Sequence, residues 1–262
     1  MKCAYSAGAL VALAKALGHT NPDIFVAASG STGSMFYYLA QQYDDIERCW
    51  TRYLPSSQFI KYIPFPTMRI NYLIDTVAKN YLPLNMQNFD ATKTKYFVPI
   101  TDVETGETEF VSNETWFNPY EVMRAATAVP ILYNSHVRLG GHSYLDGDFS
   151  TSLATLIEKA IAMGAKRILC ITNTTPPSMI AKLVVRAYAT LLHPALRVNV
   201  LKDLQSSQAI AWPKDIKFVS LSPSFPLPAV LYSRSRREIV ETYNMGYDDL
   251  MGRQKEIDEL FS

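Results

Sequence analysis

The stretch Phe25-Val26-Ala27-Ala28-Ser29-Gly30-Ser31-Thr32-Gly33-Ser34 constrains the fold of this chain more than any other. An apolar, strand-like run breaks into small residues and passes straight into a helical pattern, in which Met35 and Leu39, and Phe36 and Ala40, recur at four-residue spacing. A strand that turns directly into a helix holds its central side chain on a tight elbow, beside the first unpaired N–H groups of the helix. With Ser29 in place of the first glycine and Gly33 as the second, the pattern is near G-x-S-x-G and puts Ser31 where a serine nucleophile would stand. Ser, Thr and Gly are also ordinary helix caps, so the elbow alone defines a turn. A second motif is needed to define a reaction.

That motif is Ser143-Tyr144-Leu145-Asp146-Gly147-Asp148, following the pair Gly140-Gly141. An isolated Asp-Gly is most often a turn. Together with the elbow, however, the chain resembles the patatin-like phospholipases, serine acyl hydrolases that pair an elbow serine with the aspartate of an Asp-Gly-Gly or Asp-Gly-Ala motif and use no histidine. Arg124-Ala125-Ala126-Thr127-Ala128-Val129-Pro130 is similar to the helix and proline before that aspartate. Leu156-Ile157-Glu158-Lys159-Ala160 and Gly164-Ala165-Lys166-Arg167-Ile168 are similar to the helix and strand after it. The similarity runs from residue 2 to about residue 175 and more loosely beyond.

The resemblance implies an α/β fold, a three-layer sandwich with a mostly parallel central sheet flanked by helices. It implies a lipid acyl hydrolase that cleaves carboxylic esters of phospholipids or other lipids without a cofactor or metal. Ser31 is then the nucleophile and Asp146 the base; Ser29, Gly30 and Gly33 form the elbow, and Gly147 and Asp148 complete the Asp-Gly motif. In the family a strand and a glycine-rich loop of the form G-G-G-x-R/K-G precede the first helix and supply oxyanion donors. Here Lys2 stands at the basic position and Cys3 where a glycine is expected, so the usual first strand is lacking and the Thr32 N–H is the donor that remains. Losing one such donor costs roughly two to three orders of magnitude in rate. Two expectations follow: a natural polypeptide that starts upstream of Met1, or a catalytically impaired member that acts as a lipid- or protein-binding module.

Bulk properties narrow the alternatives. A chain of 262 residues, 48% hydrophobic and 12% aromatic, is read as a single domain with a sizeable core. A net charge of +1 without runs of like charge argues against a nucleic-acid partner. Cys3, Cys49 and Cys170 lack metal-ligand spacing, and Cys170 in Ile168-Leu169-Cys170-Ile171 is read as a buried free thiol, which suits a cytoplasmic protein. The N-terminal run is interrupted by Ser6 and Lys15 and is read as an amphipathic helix instead of a signal peptide. No eighteen apolar residues run together, so no transmembrane segment is expected.

Along the chain, Leu10, Leu13, Ala14 and Leu17 mark a first helix that Gly18 ends, and Asp44-Asp45-Ile46-Glu47 opens another running to Leu54. From about 50 to 90 the composition shifts to aromatics, including Trp50, Tyr53, Phe59, Tyr62, Phe65, Tyr72, Tyr81 and Phe89, with Arg52, Lys61, Arg69 and Lys79 interleaved. This stretch is read as a helical cap over the active site, either in contact with a membrane surface or a subdomain with a buried aromatic core. Hairpins are expected over 96–111, turning at Glu104–Glu107, and over 137–145, the second delivering Asp146. Asn118-Pro119 starts a helix that Pro130 ends, Leu153 to Met163 is helical, and Arg167–Thr172 and Ile216–Leu221 are strands. Helices are expected over Met179–Leu192 and, after Pro194, to Leu204, and an exposed helix from about Ser233.

Asp102 and Asp148 compete with Asp146 for the role of base. An α/β-hydrolase triad of Ser31, Asp146 and His193 satisfies the chain order Ser, acid, His, but Leu191-Leu192-His193-Pro194 lies in or after a helix with no strand before it.

Overall fold

The computed structural model describes residues 1–63, 67–115, 118–130, 132–133, 135–173, 213 and 215–262. The helices expected over 179–204, His193 and Phe65 lie outside the described residues.

Helix α1 (Ala4–Lys15) leads to strand β1 (Ile24–Val26), the elbow, and helix α2 (Ser31–Leu39). Helix α3 (Tyr43–Arg48) continues as a π-helical turn, Cys49–Tyr53. The cap region then holds the short pair β2 (Ile60–Lys61) and β3 (Thr67–Met68), a π-helix over Tyr72–Tyr81, and α4 (Met86–Asp90). Strands β4 (Lys95–Asp102) and β5 (Thr108–Ser112), helix α5 (Pro119–Ala126), strands β6 (Val137–Leu139) and β7 (His142–Asp146), and helix α6 (Leu153–Ala162) follow. Strands β8 (Arg167–Ile171) and β9 (Lys217–Leu221) precede the closing helices α7 (Arg236–Gly252) and α8 (Gln254–Phe261). The helix starts follow the sequence: Asn118 accepts from Tyr120 N–H with Pro119 in the first turn, and Ser152 and Thr155 form a capping box for α6.

The chain is α/β with a mixed sheet flanked by helices, and here the expectation of a mostly parallel sheet is corrected. In the five-stranded sheet β1 runs parallel to β4, whereas β5 and β7 pair antiparallel with β4, and β6 pairs antiparallel with β7. For the two hairpins, β4–β5 and β6–β7, the physical reason is loop length. Residues 103–107 and Gly140-Gly141 join neighbouring strands through turns far too short for a crossover helix, and short turns force antiparallel pairing. Strands β8 and β9 form a separate parallel pair.

Strand β4 decides where the site lies. Its whole length is buried from Tyr96 to Asp102, and β5 occupies one edge, opposite residues 97–101. On the other edge β1 pairs with Lys95 to Phe97, and β7 pairs with Ile100 to Asp102 from the opposite direction. The two strands therefore run toward each other along one edge and stop opposite Phe97 and Ile100, about 10 Å apart at strand spacing. The residues that follow each strand end, the elbow after β1 and Asp146 at the end of β7, are brought together.

Two other expectations change. Helix α1 is not amphipathic: every residue from Ala4 to Ala14 is buried. Nor is α7 an exposed helix, because Ile239, Thr242, Tyr243, Gly246 and Leu250 form a buried face. The two helices cross closely at glycines. A Cβ on Gly8 would stand 1.9 Å from the Tyr243 carbonyl oxygen, and one on Gly246 would stand 1.9 Å from the Tyr5 carbonyl oxygen. Helix α1 is thus enclosed on all sides, and its first turn is fixed beside the elbow.

Candidate functional site

The elbow starts where β1 ends. Ala27 N–H still donates to the Phe97 carbonyl, and the chain then turns over Ala28, Ser29 and Gly30, closed by Ser31 N–H to Ala28 O and Thr32 N–H to Ser29 O, each 3.1 Å. At the apex Ser29 has φ +52°, a left-handed conformation uncommon for a residue with a side chain and costing of order 1–3 kcal/mol. Strain of this kind marks a position whose side-chain direction is fixed by its surroundings.

Ser29 Oγ donates to Asp146 Oδ2 at 2.6 Å. The carboxylate is fully buried, and its other oxygen accepts from Asp148 N–H at 3.0 Å. The backbone of Asp146 is held from two sides: its N–H donates to Ala128 O, and its carbonyl accepts from the buried Thr101 hydroxyl at 2.8 Å. Burial first, and then the nearby Asp148 charge, push the Asp146 carboxyl well above the ordinary carboxylate range, while the bonds from Ser29 and Asp148 N–H act against the rise. Gly147 is required for close approach: a Cβ there would lie 2.3 Å from the Pro99 carbonyl oxygen, so any other residue would push β7 off β4.

Ser31 is two residues along, at the first position of α2, and faces a different group. Its Oγ lies 3.0 Å from Ser6 Oγ and accepts a longer bond, 3.4 Å, from the Asn173 side chain, whose oxygen accepts from Ser6 N–H at 2.9 Å. Among the described residues no hydrogen bond joins Ser31 to Asp146. The serine that the structure brings to Asp146 is Ser29. The reason is the turn itself, since the apex side chain projects off the end of β1 toward β7, whereas Ser31 has already entered the helix and turns toward α1.

The remaining expected residues sort by the same geometry. Thr32 is fully buried, and its N–H is already bonded to Ser29 O, so it is not free to meet an oxyanion. Gly30 N–H, the peptide directly after Ser29, forms no hydrogen bond among the described residues. The Cys3 sulfur lies 3.1 Å from where a Gly30 Cβ would be, and burial pushes its thiol up. Lys2 is partly buried at the start of α1, where its carbonyl accepts from Tyr5 N–H. Gly33 faces Met123, and Asp148 is exposed. Asp102 sits at the far end of β4, where it accepts from Glu104 and Thr105 N–H and pairs with His142. Burial acts to raise its pKa, but the Thr105 and Glu104 bonds and the pairing with His142 bring it below the ordinary value. It is the anchor of the hairpin turn.

A cavity of about 80 Å³ opens on the elbow, several times the roughly 10–15 Å³ that one water molecule needs. Ser29, Gly30 and Cys3 form its polar end, and Trp50, Phe59, Met68 and Leu73 from the cap region line the rest. Among the described aromatics of this stretch Trp50, Phe59 and Phe89 are buried, Tyr53 and Tyr72 are partly buried against the core, and Trp50 Nε1 donates to Ser34 Oγ at 2.9 Å. Tyr62 and Tyr81 are exposed. Among the described residues no cluster of His, Cys and carboxylates could hold a metal ion, and no helix is long and apolar enough to cross a membrane.

Fold and site together define an α/β protein with a mixed sheet, a partly buried serine bonded to a buried aspartate at a strand-to-helix elbow, and an apolar cavity opening on the serine. No protein-family model matches the chain. It is 25% identical over 169 residues to the uncharacterized protein YjjU of Escherichia coli (strain K12), a similarity that covers 61% of this chain and 45% of that protein. The chain thus spans less than half the length of this relative.

Proposed function

We propose that the chain is a lipid acyl hydrolase of the patatin-like type, a three-layer α/β fold whose working pair is Ser29 and Asp146. The observation that carries the proposal is the 2.6 Å hydrogen bond from the strained elbow serine to a carboxylate held at the end of β7. In the first step Asp146 Oδ2 takes the Ser29 proton as Ser29 Oγ attacks an ester carbonyl. The oxyanion of the tetrahedral intermediate is met by the Gly30 N–H. Collapse breaks the ester C–O bond, the leaving alcohol takes the proton from Asp146, and the acyl group stays on Ser29. Asp146 then deprotonates a water that attacks the acyl-serine, and the proton returns to Ser29 as the carboxylic acid leaves.

A carboxylate of ordinary pKa is a weak base for a serine hydroxyl, and the raised pKa of Asp146 brings it toward the working range. The apolar cavity beside Ser29 suits a hydrocarbon chain and favours carboxylic esters of phospholipids or other lipids over polar esters. No cofactor takes part. Ser31 meets Ser6 and Asn173 and joins the start of α2 to α1. A lipid- or protein-binding role without turnover is favoured by the Cys3 thiol packed against Gly30, where it crowds the oxyanion side. Hydrolysis of a medium-chain ester by the wild type, lost in Ser29→Ala and Asp146→Asn and retained in Ser31→Ala, supports the enzyme. A folded protein with no turnover on any such ester supports the binder.

A further inference from the structure

The cavity reaches the surface at a patch that holds six of the nine exposed large hydrophobic residues among the described residues. Leu231 lines the cavity together with Phe59 and Met68, and it is itself 44% exposed. Beside it Val230 and Tyr232 are exposed, and from the cap side Tyr62 and Ile63 join them, Ile63 being 79% exposed. The two segments are fastened: Tyr62 OH donates to Tyr232 O at 3.2 Å, and the Arg234 guanidinium lies 4.6 Å from the centre of the Tyr62 ring. Phe225, 71% exposed, stands on the same loop as Val230. Exposed apolar side chains so concentrated at the mouth of a cavity mark an interaction surface.

Charge says what the surface meets. Residues 59–72 and 222–237 contain Lys61, Arg69, Arg234, Arg236 and Arg237 and no Asp or Glu, whereas 24 acidic residues spread over 262 would place about three in those 30 positions. Arg237 is paired with Glu241, but Lys61, Arg69, Arg234 and Arg236 form no ion pair among the described residues. Cations without neighbouring acids repel a basic partner and attract an anionic one, and an anionic bilayer matches both features: aromatic rings settle at headgroup depth, and cations meet lipid phosphates.

We infer that this chain docks on anionic membrane surfaces through the patch formed by Tyr62, Ile63, Phe225 and Val230–Tyr232, ringed by Lys61, Arg69, Arg234 and Arg236. An acyl chain then enters past Leu231 and reaches Ser29 without crossing water. The choice of ligand rests on the lipid chemistry proposed above, and the site of contact rests on the patch itself.

The test is co-sedimentation of the full chain with vesicles of phosphatidylcholine alone or mixed with phosphatidylglycerol, at low and high salt. Ser29→Ala is run alongside, so that failure of catalysis and failure of docking are read separately. The expected result is binding to the anionic vesicles, weakened by salt. The double variant Lys61→Gln/Arg234→Gln should bind about 25-fold more weakly, from about fivefold per removed cation. Ile63→Ser/Phe225→Ser should also release the protein, while hydrolysis of a soluble short-chain ester and the melting temperature stay as in the wild type. Equal binding to neutral and anionic vesicles, no binding to either, or a concentration-dependent dimer that the same variants dissociate would overturn the inference. Absence of short-chain ester hydrolysis with vesicle binding intact would count against the hydrolase and leave the docking surface standing.

Discussion

Replacing Gly246 by Ala tests the packing that positions the site. In an ordinary helix interior this change stabilises by about 1 kcal/mol, because alanine loses less backbone freedom than glycine. At Gly246 the new methyl would lie 1.9 Å from the Tyr5 carbonyl oxygen, and real Cβ contacts essentially never fall below 3.0 Å. The gap has to open by about 1 Å, and the atom in the way is backbone of a helix buried all round, so no side chain can swing aside. Overpacking of this kind costs roughly 1–3 kcal/mol, and a rigid backbone neighbour argues for the upper end. After the propensity gain the net loss is about 2 kcal/mol, or a fall in Tm of about 4–8 °C. The same displacement moves α1, whose Ser6 lies 3.0 Å from Ser31. Gly252→Ala, at the end of the same helix with nothing within 4 Å of its Cβ, is the control and should be neutral or slightly stabilising. Thermal melts monitored by circular dichroism decide the matter. A Gly246→Ala protein that melts at or above the wild type would show propensity acting alone and refute the close crossing of α1 and α7.

Three further outcomes are expected. Because folding raises the Asp146 pKa, the folded state binds the extra proton more tightly than the unfolded chain; the resulting stability is fully present below the unfolded pKa and is lost as pH rises through the folded one. Asp146→Asn should therefore abolish turnover yet melt as high as the wild type or higher at neutral pH, with the gap closing on acidification; a lower Tm at neutral pH would contradict this. Asp148→Asn removes the like charge that helps to raise Asp146, so the acid limb of the pH–rate profile should shift to lower pH, and an unmoved limb would remove Asp148 from the account. Gly147→Ala forces a methyl to within 2.3 Å of the Pro99 carbonyl oxygen and should cost both soluble yield and activity, read by expression and by ester hydrolysis.

Local structure was largely legible in the sequence because its signals are local. The hairpin over β4 and β5 follows from strand residues flanking Glu104-Thr105-Gly106-Glu107, and the start of α5 from Asn118-Pro119. Sheet direction was less so, since the resemblance pointed to parallel strands while the short turns enforce antiparallel ones. The G-x-S-x-G spacing pointed to Ser31, with Gly33 as the second glycine, whereas the hydroxyl that meets Asp146 is that of Ser29. What separates them is a backbone angle, the positive φ of Ser29, and no side-chain identity signals it. The buried face of α7 and the full burial of α1 depend on Gly8 meeting the Tyr243 backbone and Gly246 the Tyr5 backbone, a pairing that neither segment reveals alone.

The proposal stands most directly on which hydroxyl is the nucleophile. Incubation of the full chain with a fluorophosphonate, followed by digestion and mass spectrometry of the peptide containing residues 24–39, reads this in one measurement. The account predicts a phosphonyl adduct on Ser29, absent in Ser29→Ala and in Asp146→Asn and retained in Ser31→Ala; an adduct on Ser31, with Ser29 unmodified, would contradict it.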